Sequence, residues 1–313
     1  MSSLNVSAES LSMFGSPSFK CHPVKLKSEL RSGVVACALF CLLMSGFIQA
    51  ADNHETVAPR PLDIHVQPNG FGKVNPADIT AVLQTAGFEI WRHCRRTQLD
   101  GIDVYHRSDH PQTDFNRTPN GRISIGLASQ DTYWAQYSFQ FAHEFCHTLA
   151  NFSNNPGRSA RHPPSANFWL EESLCETASL FTLRAMSRSW IIAPSFPAWR
   201  DYAPSFTVYV EERLTAPEFH LPAGMPFSVW FQENQLALRQ NPFLRDRNTI
   251  VALQLLSSFE AEPRGWEAIA FLNRGSSDPN QNLARHLAEW YSACPSDLRS
   301  FVRRLAAVFA VKI

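Results

Sequence analysis

The chain has 313 residues, of which 44% are hydrophobic and 18% charged, with 28 basic side chains against 28 acidic ones and no formal net charge. That balance suits a soluble globular protein with a sizeable core. It gives no support to a nucleic-acid partner or to an anionic membrane surface, both of which call for an excess of positive charge.

Lys20, Lys25, Lys27 and Arg31 precede an apolar run at 34–48, which closes on Ile48-Gln49-Ala50. The run is short for a membrane span and reads as a secretory signal peptide over residues 1–50. The expectation is therefore an exported protein, periplasmic or secreted, with no stable membrane span after cleavage and a membrane-anchored form if the segment is retained. Ala51–Arg60 reads as a leader. Leu62–Val66 alternates apolar and polar residues, as a strand does. Asn75-Pro76-Ala77-Asp78 supplies an N-cap, a proline at the first helical position and an acidic first turn, and the following helix has an apolar face of Ile79, Leu83, Ala86, Ile90 and Cys94. Arg92, Arg95 and Arg96 read as its solvated end. Gly101–Arg107 is a second strand, Ser108–Gly121 a polar loop, and Arg122–Ala128 a third strand.

The segment Tyr133–Phe152 places Trp134, Tyr137, Phe141, Phe145, Leu149 and Phe152 at steps of three or four, a helical apolar stripe. Within it stands His143-Glu144-Phe145-Cys146-His147. On a helix these two imidazoles share a face and can reach one Zn2+ ion, and Glu144 can serve as general base on an activated water. A core helix with backbone-satisfied histidines is the plain alternative, but two histidines and a glutamate on so apolar a helix are costly to bury without a metal. A metzincin arrangement is excluded, because Ala150 and Ser153 occupy the places of its glycine and third histidine.

The third ligand is expected on the next helix, Phe168–Ser179, whose buried stripe is Leu170, Leu174, Ala178 and Phe181 and whose N-cap is Asn167. Glu172 and Glu176 lie four apart on one face. Glu172 is assigned as the third metal ligand, with Glu171 as its main competitor. Glu176 is assigned the role of orienting a ligand histidine through its second nitrogen. Cys146 and Cys175 sit beside these residues on the two ligand helices. A disulfide between them and a pair of buried thiols are both open readings, and neither sulfur is needed as a ligand.

Together, His143-Glu144-x-x-His147 and Trp169-Leu170-Glu171-Glu172, with Glu176 four residues on, resemble the gluzincins, the zinc metallopeptidases that include thermolysin-like enzymes and a large aminopeptidase family. Glu171 stands where the aminopeptidases have Asn, and the gap between His147 and Glu172 is longer than in the best-known members. The resemblance spans roughly residues 122–187 and implies a zincin-like α+β fold: a small mixed sheet with backing and active-site helices, followed by a mainly helical part. The expected organisation is an N-terminal subdomain over 51–152 and a helical C-terminal subdomain over 153–313 that carries the third ligand. The resemblance also implies that Ile123–Leu127 is an edge strand lining the cleft and pairing with an extended peptide or protein substrate. Tyr202, Tyr209 and His220 are candidates by type for steadying an oxyanion. A hydrolase of non-peptide amides or esters, and a non-catalytic binding protein on the same frame, are the competing functions.

Beyond residue 187 the expected helices are Thr207–Leu214, Phe227–Arg239, Arg247–Phe259, Trp266–Leu272, Gln281–Ala293 and Pro295–Val311, with proline-rich breaks at 194–204 and 216–226. Trp190, Trp199, Trp230, Trp266 and Trp290 are expected to be mostly core.

Overall fold

A strand, a helix and then three more strands open the fold: β1 (Ile64–Val66), α1 (Pro76–Trp91), β2 (Ile102–His106), β3 (Gln112–Asp114) and β4 (Ile123–Leu127). The computed structural model describes residues 61–150, 165–275, 278 and 280–313. The expected signal peptide and most of the insert after the His143–His147 motif lie outside the described residues. Pro59–Ile313 forms one compact unit.

Helix α1 starts where the sequence says it should. The Asn75 side chain accepts the Ala77 N–H at 3.0 Å, and Pro76, which has no N–H to orphan, takes the first position. Its apolar face is buried. Gly87 lets it lie close on its neighbours, since a Cβ there would collide with Leu62 and crowd Phe141.

The sheet order is β1-β2-β4-β3, with β1, β2 and β4 parallel and β3 antiparallel to β4. Two corrections follow. The loop expected over 108–121 contains strand β3. Strand β4 is interior and not the edge, because β3 covers it, with Thr113 opposite Ile125. Arg122, at the start of β4, ties three strands together by bonding the carboxylates of Asp63 and Asp103.

The remaining elements are helical: α2 (Trp134–Leu149), α3 (Phe168–Ile192), α4 (Ala203–Thr215), α5 (Phe227–Gln240), α6 (Arg245–Ala261), α7 (Leu283–Ala293) and α8 (Ser296–Val308). Trp266 lies in a 3-10 segment, Pro263–Phe271, in place of the expected α-helix. The result is a mainly helical α+β protein with one small mixed sheet. Helix α3 is its axis, packing against α1, α2, α4 and α6. Its Ser173 and Thr177 hydroxyls turn inward onto the carbonyls of Trp169 and Ser173, which lets polar residues sit in a helix buried on nearly every side. Asn167 does not cap it by side chain; that amide is buried and donates to the Gln281 carbonyl. Trp190, Trp230, Trp266 and Trp290 are buried, as expected.

The arginines after α1 are not simply solvated. Arg96 binds the fully buried Glu267 through its backbone N–H (2.6 Å) and through Nη1 (2.9 Å), and reaches Asp297 with Nη2. One side chain thus joins the end of α1 to the 3-10 segment and α8. Removing it leaves a buried carboxylate without its cation and with only the backbone N–H of residue 96, so Arg96→Ala is expected to cost on the order of 3 kcal/mol of folding stability. The measurement is the urea midpoint; a variant within about 0.5 kcal/mol of the parent, the range of ordinary surface substitutions, would show that this contact is not structural.

Candidate metal centre

Helices α2 and α3 pack directly on each other, and the centre is built at that contact. His143 and His147 stand one turn apart on α2 with ring centroids 5.2 Å apart. Glu172 of α3 faces both rings. Its Oε2 is 3.4 Å from His143 Nε2 and its Oε1 is 3.5 Å from His147 Nε2. These separations are long for charge-assisted hydrogen bonds. Each is close to the edge of about 3.4 Å between a nitrogen and an oxygen donor of tetrahedral zinc at bond lengths of roughly 2.0–2.1 Å, with one carboxylate oxygen turned to each ring. Two imidazoles and one carboxylate also fit zinc better than Mg2+ or Ca2+, which prefer oxygen donors.

The other nitrogen of each ring faces a second carboxylate. His147 Nδ1 is 2.6 Å from Glu171 Oε1, and His143 Nδ1 is 3.8 Å from Glu176 Oε2. The first is a short hydrogen bond and the second an ion-pair separation. Both aim the Nε2 atoms at Glu172, as carboxylate partners of ligand histidines do. Glu171 is held in turn by Asn273, whose Nδ2 donates to Oε2 at 2.6 Å and to the Ala150 carbonyl at 3.0 Å. Arg213 of α4 (3.4 Å) and the Thr249 hydroxyl of α6 (3.3 Å) both donate to Glu176 Oε1. The Arg213 guanidinium lies 4.4 Å over the Phe139 ring.

Glu144 is buried, and its Oε2 accepts a hydrogen bond from the Thr113 hydroxyl of β3 at 2.8 Å. Burial pushes its pKa up, against the opposing pull of His143 and Thr113. Glu176 behaves differently. Burial would raise its pKa, but His143, Arg213 and Arg245 overcome that and hold it at about 2. At His143 burial favours the neutral ring, yet the surrounding carboxylates of Glu172, Glu176 and Glu144 outweigh it and lift the pKa to about 10. Carboxylates surround both rings, and the positive charge they favour at His143 is one that a bound cation could replace. Phe168 stacks on the His147 ring (6.0 Å, 16°) and Phe115 meets it edge-on (6.3 Å), while Phe243, 61% exposed, packs against Phe168.

All five site residues expected from the sequence, His143, Glu144, His147, Glu172 and Glu176, come together here. Glu171 has a part the sequence reading did not give it: it is the partner of His147 Nδ1. Thr113, Arg213, Thr249 and Asn273 were not foreseen. Of the oxyanion candidates, Tyr202 accepts the Ala135 N–H at the start of α2, Tyr209 packs on Phe139, and His220 bonds the Leu214 carbonyl. Cys146 and Cys175 are free buried thiols, so they do not form the disulfide that was one reading of the sequence. The Cys175 sulfur and a ring nitrogen of each histidine all lie within 4.8 Å of one another.

Comparisons of the chain with protein-family models, with curated proteins and with solved structures give no match. The functional reading rests on the chain's own geometry.

The division of labour around α3 is testable by metal content. Glu172→Ala is expected to abolish stoichiometric zinc binding, whereas Glu171→Ala is expected to weaken it by about 10–100-fold, the usual effect of losing a ligand's supporting partner. Equal losses, or a greater loss in Glu171→Ala, would exchange the two roles.

Proposed function

We propose that this chain is an exported zinc-dependent peptidase of the gluzincin type, with a zincin-like fold, in which His143, His147 and Glu172 hold the metal and Glu144 is the general base. The single observation that carries this reading is the convergence of both Nε2 atoms on Glu172, with a buried carboxylate one residue along α2 from the first ring. A zinc ion held there would act as a Lewis acid, acidifying water and polarising a carbonyl.

The chain's own groups account for the rest. Glu144, with its proton affinity raised by burial and Oε2 held by Thr113, takes a proton on Oε1 from the attacking water and returns it to the leaving amine. Glu171 and Glu176 keep the two rings from turning away. The sheet edge beside the base belongs to β3, and an extended peptide or protein substrate would add there as a further strand. The near-neutral composition accords with a peptide partner and no nucleic acid. Export is carried by the basic and apolar run that ends at Ala50.

Glu144→Gln is expected to retain zinc and fold while peptide hydrolysis falls by about 10²–10⁴-fold. Undiminished hydrolysis in a zinc-loaded variant would remove Glu144 from this role. Assay of the parent on peptide, ester and non-peptide amide panels, each with a chelator control, fixes the substrate class. Ester or amide turnover without peptide cleavage would replace peptidase by another zinc hydrolase, and no turnover on any panel would leave a metal-binding protein without catalysis.

A further inference from the structure

Cys175 is a buried nucleophilic side chain at this centre that the proposed mechanism does not use. It lies three residues after Glu172 and one before Glu176 on α3, so it belongs to the helix face turned toward α2. It is fully buried, and its sulfur falls within 4.8 Å of a ring nitrogen of each histidine. A tetrahedral site with nitrogen at roughly 2.0–2.1 Å and sulfur at about 2.3 Å needs a nitrogen-to-sulfur edge of about 3.6 Å, so bringing this thiol into contact takes a movement of about 1 Å at most. Rotation about χ1 is the motion open to so short a side chain, together with small shifts of the two rings.

We propose that Cys175 is a fourth protein donor to the metal held by His143, His147 and Glu172, making the centre a mixed nitrogen, oxygen and sulfur site that selects thiophilic divalent ions. This rests on the metal-centre reading above and extends it. As the sulfur–metal bond forms, the thiol proton leaves to solvent, and neither an oxidant nor a reductant is involved. A thiolate in this position competes with water for the last coordination place. Metal sites filled by four protein ligands are structural, whereas those with an open place are catalytic. The sulfur-bound form is therefore a latent form of the centre, and departure of Cys175 opens it.

The nearest alternative donor is Cys146, a second buried free thiol, which lies on α2 between the two histidines in sequence. The experiment has to separate the two sulfurs. The metal-free full chain is titrated with Co2+, and with Cd2+ in parallel, while bound metal is measured by mass spectrometry and the ultraviolet sulfur-to-metal charge-transfer band is recorded. The expected result is one equivalent of metal with a band in the parent and in Cys146→Ser, and loss of the band in Cys175→Ser with metal still bound. A metal-loaded parent with no such band overturns the assignment of Cys175 and leaves the three-ligand centre standing. A band that survives in Cys175→Ser and disappears in Cys146→Ser also overturns it. If the parent takes up no metal, the metal centre itself falls and this inference with it. The parent spectrum alone decides whether any sulfur binds, even if the serine variants do not fold.

Discussion

Four carboxylates crowd one helix–helix contact, and the rest of the structure is arranged around the electrostatic cost of that crowding. Glu144 on α2 and Glu171, Glu172 and Glu176 on α3 are all buried or nearly so, and two histidines stand among them. Arg213 reaches Glu176 at 3.4 Å, and the two histidines stand within ion-pair distance of the acids around them. Like charges at this density are unfavourable in a medium less polar than water. Each acid is therefore given a separate remedy. Glu176 takes Arg213 and Thr249, Glu171 takes Asn273 and His147, Glu144 takes Thr113, and Glu172 faces the two Nε2 atoms. A dication between Glu172 and those nitrogens, as proposed above, would relieve the remaining repulsion.

The groups that support the centre come from far along the chain. Arg213 arrives on α4, Thr249 on α6, and Asn273 just after the 3-10 segment, while Thr113 comes from the sheet. The C-terminal helices thus do more than cover the core, since they set the orientation of the acids that orient the rings. This also explains the inward hydroxyls of α3. A helix with neighbours on all sides cannot send its polar side chains to water, and so it bonds them to its own backbone.

How much of this could be read from the sequence depended on how local the signal was. The cap and proline of α1 act within four residues, and the helix begins where they say. The His143–His147 motif and the Glu172–Glu176 spacing are periodic signals on single helices, and their faces met as expected. Strand β3 is three residues, Gln-Thr-Asp, too short and too polar to show any alternation, and overlooking it turned β4 from an interior strand into a supposed edge. Asn167 and Arg96 carried the right local chemistry for a cap and a solvated helix end. Tertiary partners, the Gln281 carbonyl and the buried Glu267, claimed them instead. Asn273 lies 102 residues from Glu171, and no pattern within one chain connects the two. The cysteines are intermediate: their place next to the motif residues was visible, but whether they join each other or Cys175 faces the rings depended on how α2 and α3 rotate against one another.

The Thr113 hydroxyl has a mechanical implication. It belongs to a strand of only three residues, at the open margin of the sheet, and it donates to both the Glu144 carboxylate and the Glu144 main-chain carbonyl. The position of the carboxylate is therefore tied to that margin, and a distortion of the rim would reach the acid through these two hydrogen bonds. A small pleat at the rim serves as the lever arm of the buried acid behind it.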